Sequence, residues 1–543
     1  MKTLKLFLLI LFLFKLVILK AVTVDSTNIP LVIINTSDSI IDASKVSGTM
    51  KIIYNGPGKM NHPTDTPVFN GNIGIKYHGS FSLLFPQKSY AIETRDSLGN
   101  SLNVPLLGLP EEHDWILLEN YNDESFVRNT LTYRLFQEMG HYASRARFCE
   151  AIVNNQYMGI FVLIEKIKRD INRVNIAKMT SSDNTGYSLT GGYIFKIDNN
   201  NNGDPTWTSN YTPPGFPAGS VNFIYYYPKA EDITSEQESY LKNYVNGFEN
   251  VIFGDNYTDA NNGYKKYIDV MSFVDYFLIG EFTRNIDAYK KSCYYYKDNI
   301  LNGGLIHAGP VWDFDWAYKN FDQCFEDSLD GSGWAYQIFE CSPSPVPPAW
   351  MIRMVSDSAF ANKCHDRYFQ LRQTFFSEDD INTYIDSIAT LLNDPQKRHF
   401  ALWNTLGKIP GVQIIGTPEI DSIPTTYQGV VAKLKKWISL RLDFLDKNMI
   451  GTANVTTSIY EPQQTELTLR LFPNPCNDIF YAESPKGLAE ISIFSIDGKL
   501  QLVKTNINNF VCPVNVSALR KDLYIVRIKY KSGEVSNSKL IVE

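Results

Sequence analysis

The chain has 543 residues, 44% of them hydrophobic and 13% aromatic, and a formal net charge of −7. That length exceeds one compact core and implies two or three domains. So mild an acidity, with no long basic block, excludes a general nucleic-acid binder.

Lys2 and Lys5 precede an apolar run at 6–14, which Lys15 interrupts. This is the pattern of a signal-peptide core, shorter than a bilayer span, so 1–21 is expected to be a cleaved leader. No later stretch is apolar for long enough to span a bilayer. The mature chain is therefore expected to be exported and soluble, without a transmembrane segment. Cysteines stand at 149, 293, 324, 341, 364, 476 and 512, none in a Cys-x-x-Cys pair, which gives a zinc site little support. Cys324–Cys341 and Cys476–Cys512 are possible disulfides, and the odd number leaves at least one thiol unpaired within the monomer.

Residues 22–72 alternate short apolar runs with turn residues and read as a β-rich entry segment. Next, I-G-I-K-Y-H-G-S-F-S (73–82) and P-Q-K-S-Y-A-I-E (86–93) read as two strands about a polar loop, with Lys88 opening the second. A lysine under such a loop is one way to hold phosphates, and equally a solvated charge on an edge strand. Between 115 and 140 the pattern turns helical. Asp123 is the expected N-cap, with Ser125 the alternative, and Gly140 closes the run. Asn154-Asn155 marks a hairpin, and Glu165 follows directly on its second strand. Helical spacing returns at 235–253 and 267–283.

The stretch 285–316 organises the chain. Asp287 precedes an aromatic strand at 293–297, and a turn holding Asn302, Gly303 and Gly304 follows. A second apolar run at 305–311 then delivers Asp313 and Asp315. A hairpin here brings Asp287 and Asp313 to one end, where two carboxylates can act as base and metal ligand. The order of parts matches a protein kinase, although acids at strand ends also occur simply as solvated or capping groups. Amphipathic helices are expected at 351–392 and 430–448, the last with an apolar stripe of Leu434, Trp437, Ile438, Leu442 and Leu445. A Thr-rich linker is expected at 451–466 and a small β-sandwich at 467–543.

Several ordered motifs carry a resemblance. I-K-Y-H-G-S-F-S…F-P-Q-K-S-Y, N-Y-N-D-E-S-F-V-R-N, N-N-Q-Y-M-G-I-F-V-L-I-E-K-I, D-I-N-R-V-N-I, G-G-Y-I-F-K-I-D and P-V-W-D-F-D together resemble the CotH kinase family. L-F-P-N-P, S-I-F-S-I-D-G-K and L-Y-I-V-R-I resemble the sorting domain of type IX secretion cargo. The implied fold class is α+β: a reduced two-lobed kinase-like domain at 73–450, then the all-β sorting sandwich at 467–543.

The resemblance implies ATP and Mg²⁺ or Mn²⁺ as cofactors. Lys88 and His78 would face the nucleotide phosphates, Glu165 would sit at the adenine hinge, and Asp287 would accept the acceptor hydroxyl's proton. Asp313, Asp315 and Ser292 would hold the metal. The expected partners are an exported protein acceptor and the type IX machinery, at the outer cell surface. Two positions depart from the family pattern: His78 where Arg is frequent before Gly79, and Ser292 where Asn is typical. They support a rival reading, a surface-displayed adhesin that keeps the kinase fold with little or no catalysis and binds a surface ligand. A carbohydrate-active enzyme, which paired carboxylates also suit, fits Lys88 and the hairpin order poorly.

Overall fold

The computed structural model describes residues 22–200, 203–213, 219–320, 328–337, 345–408 and 422–453, together with 469–542 apart from 473, 485–486, 496–497, 506 and 508–510. The expected leader, most of the expected linker, and Cys324 and Cys341 lie outside the described residues. The chain divides into two units, Met1–Asn454 and Val455–Glu543.

In the first unit, seven strands form a closed barrel: β1 (Leu31–Thr36), β2 (Val46–Ile53), β3 (Phe69–His78), β4 (Ser89–Arg95), β5 (Asp114–Leu118), β6 (Ala146–Val153) and β7 (Gln156–Glu165), in the order β1-β2-β3-β4-β5-β7-β6. Alternate residues point inward, as the two-residue period of a strand requires. Val32, Ile34, Met50, Ile52, Ile73, Ile75, Ile92, Trp115, Leu117, Phe161 and Leu163 make one core. Closure comes from a parallel pairing of β1 with β6, running from Leu31↔Glu150 to Ile34↔Val153. The boundary expected at 72/73 falls inside β3, and β1 and β2 are staves of the same barrel. Residues 22–72 are therefore no separate segment, since an isolated β1–β2 pair would leave both edges and its apolar face uncovered. The hairpin at Asn154 and Asn155 is as expected, with φ of 50° and 62°.

The rest of the unit is a helical lobe around a second sheet. That sheet contains β8 (Tyr193–Ile197), β9 (Thr206–Thr208), β10 (Asn222–Tyr227), β11 (Cys293–Lys297) and β12 (Ile306–Ala308), in the order β12-β11-β8-β10-β9. The helices are α1 (Arg128–Glu138), α2 (Ser235–Ile252), α3 (Val270–Thr283), α4 (Trp350–Val355), α5 (Ser358–Arg372), α6 (Glu378–Leu391), α7 (Pro395–Leu402) and α8 (Tyr427–Asn448). Helix α3 is buried from Ser272 through Thr283, so it is the lobe's central rod and shows no polar stripe. The expected stripe of α8 is buried in the same core.

Helix α1 starts at Arg128, later than expected, with Val127 at the N-cap. Asp123 reaches it from outside the helix: its carboxylate accepts the Arg128 N–H at 2.9 Å and the Ser125 N–H at 3.0 Å, and pairs with the Arg128 guanidinium. Gly140, at φ 100°, closes α1 as expected.

The barrel and the helical lobe are joined at β7. Gly159 has φ 94°, and a Cβ there would lie 2.8 Å from His399 Nδ1. That close approach lets Ile160 N–H donate to His399 Nδ1 at 3.1 Å and Trp403 Nε1–H donate to the Met158 carbonyl at 2.9 Å.

One buried acid gives the lobe a pH signature. Glu249 on α2 is 1% exposed and accepts from Ser209 Oγ at 2.8 Å and Trp350 Nε1 at 3.0 Å, and burial pushes its pKa up to about 7. The native state therefore holds a proton that the unfolded chain releases above its ordinary value of 4.5, so this group's contribution to stability falls as pH rises from 4.5 to 7. Glu249→Gln is expected to match the wild type below that window and to exceed it above by on the order of 1–3 kcal/mol, as measured by denaturant unfolding at several pH values.

The second unit contains β13 (Arg470–Phe472), β14 (Ile479–Glu483), β15 (Leu488–Ser495), β16 (Leu500–Lys504), β17 (Val511–Asn515), β18 (Asp522–Tyr530) and β19 (Val535–Val542). These strands form two sheets, β13-β14-β17 and β16-β15-β18-β19. Phe480 and Val514 from one sheet meet Ile491, Ile493, Val526, Ile528 and Leu540 from the other in one core, the expected sandwich. Cys476 and Cys512 are buried free thiols, not a disulfide.

Candidate active site

The site grows from the hairpin. β11 pairs β12 through Tyr295↔Ala308, Tyr296↔His307 and Lys297↔Ile306, so the residue before β11 and those after β12 emerge at one end. Ser292 and Asp313 meet there, Ser292 Oγ donating to Asp313 Oδ2 at 3.3 Å. The turn that follows α3 places Asp287 close enough for its charge to act on Asp313. β11 also pairs β8, with Cys293 opposite Ile197, and this brings Asp198 to the same end. Asp198 closes the G-G-Y-I-F-K-I-D motif but was given no site role, because a single acid after a strand looks like a solvated end group.

Protein surrounds Asp313 closely while its side chain stays open to solvent, as at the floor of a cleft. Desolvation, then the charges of Asp315, Asp287 and Asp198, hold its pKa well above the ordinary carboxylate value, and it shares a hydrogen bond with Asp315. Desolvation also raises Asp315, against an Asn122 Nδ2–H bond of 2.9 Å and the nearby Lys319. Glu119, beyond the end of β5, is buried and raised in the same way, by desolvation and then by Asp315. Like charges are concentrated around Asp313, which disfavours its ionisation until further positive charge arrives.

Backbone strain gathers at the same place. Arg284, Tyr289, Ser292, Asp313 and Tyr318 all hold positive φ, at 42°, 65°, 51°, 70° and 56°. Such conformations cost about 1–3 kcal/mol each and persist where the surroundings over-determine them. Helix α1 supplies much of that constraint. Asn129 Oδ1 accepts the Phe314 N–H at 2.6 Å, Tyr133 Oη accepts the Asp313 N–H at 3.4 Å, and Thr132 Oγ1 meets Tyr318 Oη at 2.9 Å. Lys319 Nζ donates to the Asn122 carbonyl at 3.0 Å. The motif N-Y-N-D-E-S-F-V-R-N thus serves to hold the P-V-W-D-F-D segment in place.

The residues expected at the nucleotide fare differently. Lys88 stands just before β4, not on it, and its ammonium donates to the carbonyls of Leu83 and Phe85, closing the loop that begins at Gly79. His78 ends β3. Burial, then the charges of Lys166, Lys76 and Lys196, push its pKa down to about 4, so it is neutral at physiological pH. The sequence reading gave those lysines no part in the site. Lys196 pairs with Asp198 at 2.8 Å and lies over the rings of Tyr226 and Tyr294, at 5.8 and 5.7 Å. The carboxylate of Glu165 is not available to a base edge. It is fully buried and taken by Arg145, at 2.9 Å to Nε and 2.7 Å to Nη2, in a bidentate pair that fixes the end of β7.

Asp287 is flanked by Lys290 Nζ at 3.8 Å and Lys291 Nζ at 3.6 Å, so positive charge stands beside the proposed base. Among the described residues, three ligand atoms from His, Cys, Asp or Glu converge within 4.8 Å at Glu112, His113 and Asp114. Lys168 already neutralises that group, at 2.6 Å from Glu112 and 2.9 Å from Asp114. The hairpin end instead offers two hydrogen-bonded carboxylates, Asp313 and Asp315, and the Ser292 hydroxyl. All are oxygen donors, and such a set fits a magnesium that takes its other ligands from water and substrate phosphates.

A family model described as CotH kinase protein matches residues 75–445. The chain belongs to that family. The CotH match spans most of the barrel and the helical lobe, from β3 to α8, and includes every site residue named above. A second model, described as a secretion system C-terminal sorting domain, matches 470–543, the β-sandwich unit. The CotH domain is therefore carried by a chain with a type IX sorting tail, which points to secretion or surface display and to interaction with that machinery. No helix among the described residues is long and apolar enough to cross a membrane. No curated protein matches the chain.

Proposed function

We propose that the protein is a secreted CotH-like kinase that transfers the γ-phosphate of ATP to Ser or Thr hydroxyls of exported or surface proteins. The observation that carries this reading is the gathering of Asp287, Asp313, Asp315 and Asp198 at one end of the hairpin, with strained backbone, and with the charges of Lys166 and Lys196 acting on His78. A polyphosphate needs both features, cations for its oxygens and carboxylates for the metal that accompanies it.

Asp313 and Asp315, with Ser292 beside them, would hold Mg²⁺ or Mn²⁺, which when bound supplies neutralisation of the β- and γ-phosphate charge. Asp287 accepts the proton of the acceptor hydroxyl as its oxygen bonds to phosphorus and the bond to the ADP oxygen breaks. Lys290 and Lys291 stabilise negative charge around the transferring group. Neutral His78 serves as a hydrogen-bond partner, not as a charge. Phe81 packs on Trp316 with ring centroids 6.4 Å apart, tying the loop that Lys88 closes to the segment after Asp315. Phosphoryl transfer depends mainly on positioning and charge, so a short set of residues suffices.

Asp287→Asn is expected to slow phosphate transfer about 10²–10⁴-fold, the usual share of a general base, while ATP affinity stays within a few-fold. The assay is transfer of labelled γ-phosphate to the protein itself or to Ser/Thr-rich acceptor peptides. The adhesin reading draws on Lys88 being engaged with its own loop and on the neutrality of His78. It predicts no transfer by the wild type and no effect of the variant.

A further inference from the structure

Glu119 stands one residue beyond β5, where the barrel meets the acidic end of the hairpin. Its N–H donates to Ser89 Oγ at 3.0 Å, and Ser89 pairs with His78 at the end of β3. Asn120 N–H donates to Gln87 Oε1 at 3.3 Å, and Asn122 Nδ2–H donates to Asp315 Oδ2 at 2.9 Å. This short segment is thus fixed to the barrel at one end and to Asp315 at the other. The carboxylate of Glu119 is only half used. Oε2 accepts the Tyr121 N–H, and no donor among the described residues meets Oε1. The residue is 7% exposed, so it is sunk in the protein without being sealed. A buried oxygen without a donor is costly, and native proteins keep one where a water, an ion or a ligand will meet it. After burial, the charge of Asp315 does most to raise the pKa of Glu119, and Asp313 and Asp123 act in the same direction. The oxygens of Glu119, Asp313 and Asp315 do not all gather within 4.8 Å of one another. All three therefore cannot be direct ligands of one ion, and Glu119 can reach it through a bound water.

We propose that Glu119 is a positioning residue of the metal site, its Oε1 accepting a hydrogen bond from a water on the ion that Asp313 and Asp315 hold. Small divalent cations keep several waters where the protein supplies few ligands, and a carboxylate behind such a water fixes where it stands. Asn122 orients Asp315 from the same segment, so one stretch of chain sets both a metal ligand and the metal's water. Glu119 lies just outside the N-Y-N-D-E-S-F-V-R-N motif and had no role in the resemblance. The inference rests on the kinase reading for the place of the metal.

The test is a calorimetric titration of Mn²⁺ into the full chain, alone and together with ATP. Glu119→Gln is the main variant: its amide keeps an oxygen for the Tyr121 N–H and carries no charge for a metal's water. Glu119→Asp, which withdraws the carboxylate by one methylene, and Asp313→Asn run beside it. The wild type is expected to bind Mn²⁺ saturably and Asp313→Asn to lose that binding. Glu119→Gln should bind about 10–100-fold more weakly, the usual cost of removing a partner that acts behind a metal's ligands. Glu119→Asp should fall between the two, and metal-free melting temperatures should be unchanged in both Glu119 variants. Equal Mn²⁺ affinity in wild type and folded Glu119→Gln overturns the proposal and leaves the kinase reading standing. So does a sharp fall in metal-free melting temperature in both Glu119 variants, which would make Glu119 a structural acid. No Mn²⁺ binding by the wild type, with or without ATP, overturns the proposal and the kinase reading together.

Discussion

Asp313→Asn is expected to abolish metal-dependent nucleotide binding while leaving the fold at least as stable as the wild type. The two effects have one cause. Asp313 stands against Asp315, Asp287 and Asp198, and desolvation with those charges holds its pKa well above the ordinary range. A neutral amide of the same shape removes that repulsion, and groups held in unfavourable surroundings for a function commonly cost stability. The amide keeps an oxygen to accept from Ser292 Oγ. It loses the charge that a divalent cation requires, and phosphate transfer is expected to fall by at least about 10³-fold, the scale of removing one electrostatic contact to the developing charge. Thermal melting without metal should show no decrease, and melting with Mg²⁺ and ATP should lack the upward shift expected of the wild type. A large loss of stability in the metal-free variant would mean that Asp313 is a structural acid.

The second large effect is on stability. Arg441 of α8 is fully buried, donating to the Glu281 carbonyl from Nε at 2.8 Å and from Nη2 at 2.6 Å, and from Nη1 to the carbonyls of Gly331 and Gly333, both at 2.7 Å. It adds two donors to the Glu281 carbonyl in the last turn of α3, which also accepts the Arg284 N–H at 3.2 Å. Its charge also offsets the buried Glu281, whose pKa burial nevertheless pushes up to about 7. Glu281 in turn accepts the N–H groups of Ala335 at 2.7 Å and Tyr336 at 2.8 Å, and the Tyr289 hydroxyl at 3.0 Å. Arg441→Met leaves several polar groups buried and unpaired, and is expected to cost about 3–5 kcal/mol. That corresponds to a fall on the order of 3–6 °C in the first unit's melting transition. Arg284 and Asp287 follow directly from α3, so activity should fall with stability in this variant.

The hairpin of β11 and β12, the Asn154-Asn155 turn and the buried stripe of α8 were legible from sequence because each is a local pattern. Side-chain period and turn chemistry suffice for them. Barrel closure was not legible, because no period in β1 names β6 as its neighbour. The same limit explains the site. Asp287, Asp313, Asp315 and Ser292 lie on one continuous stretch and were found together. Asp198, Glu119, Asn122 and the lysines 166 and 196 come from other elements, and only the sheet register and the α1 contacts bring them in. Glu165 misled because its position on β7 was right while its partner, Arg145, is a tertiary fact. Asp123 was rightly tied to the start of α1, but it acts on Arg128 from outside the first turn.

The most direct test of the account is a calorimetric titration of ATP into the purified protein, with Mg²⁺, with Mn²⁺ and with chelator. The kinase reading predicts saturable binding that requires a divalent metal and is lost in Asp313→Asn. The absence of binding at millimolar ATP with either metal, or metal-independent binding unchanged in the variant, would contradict it and leave the binding-protein reading in its place.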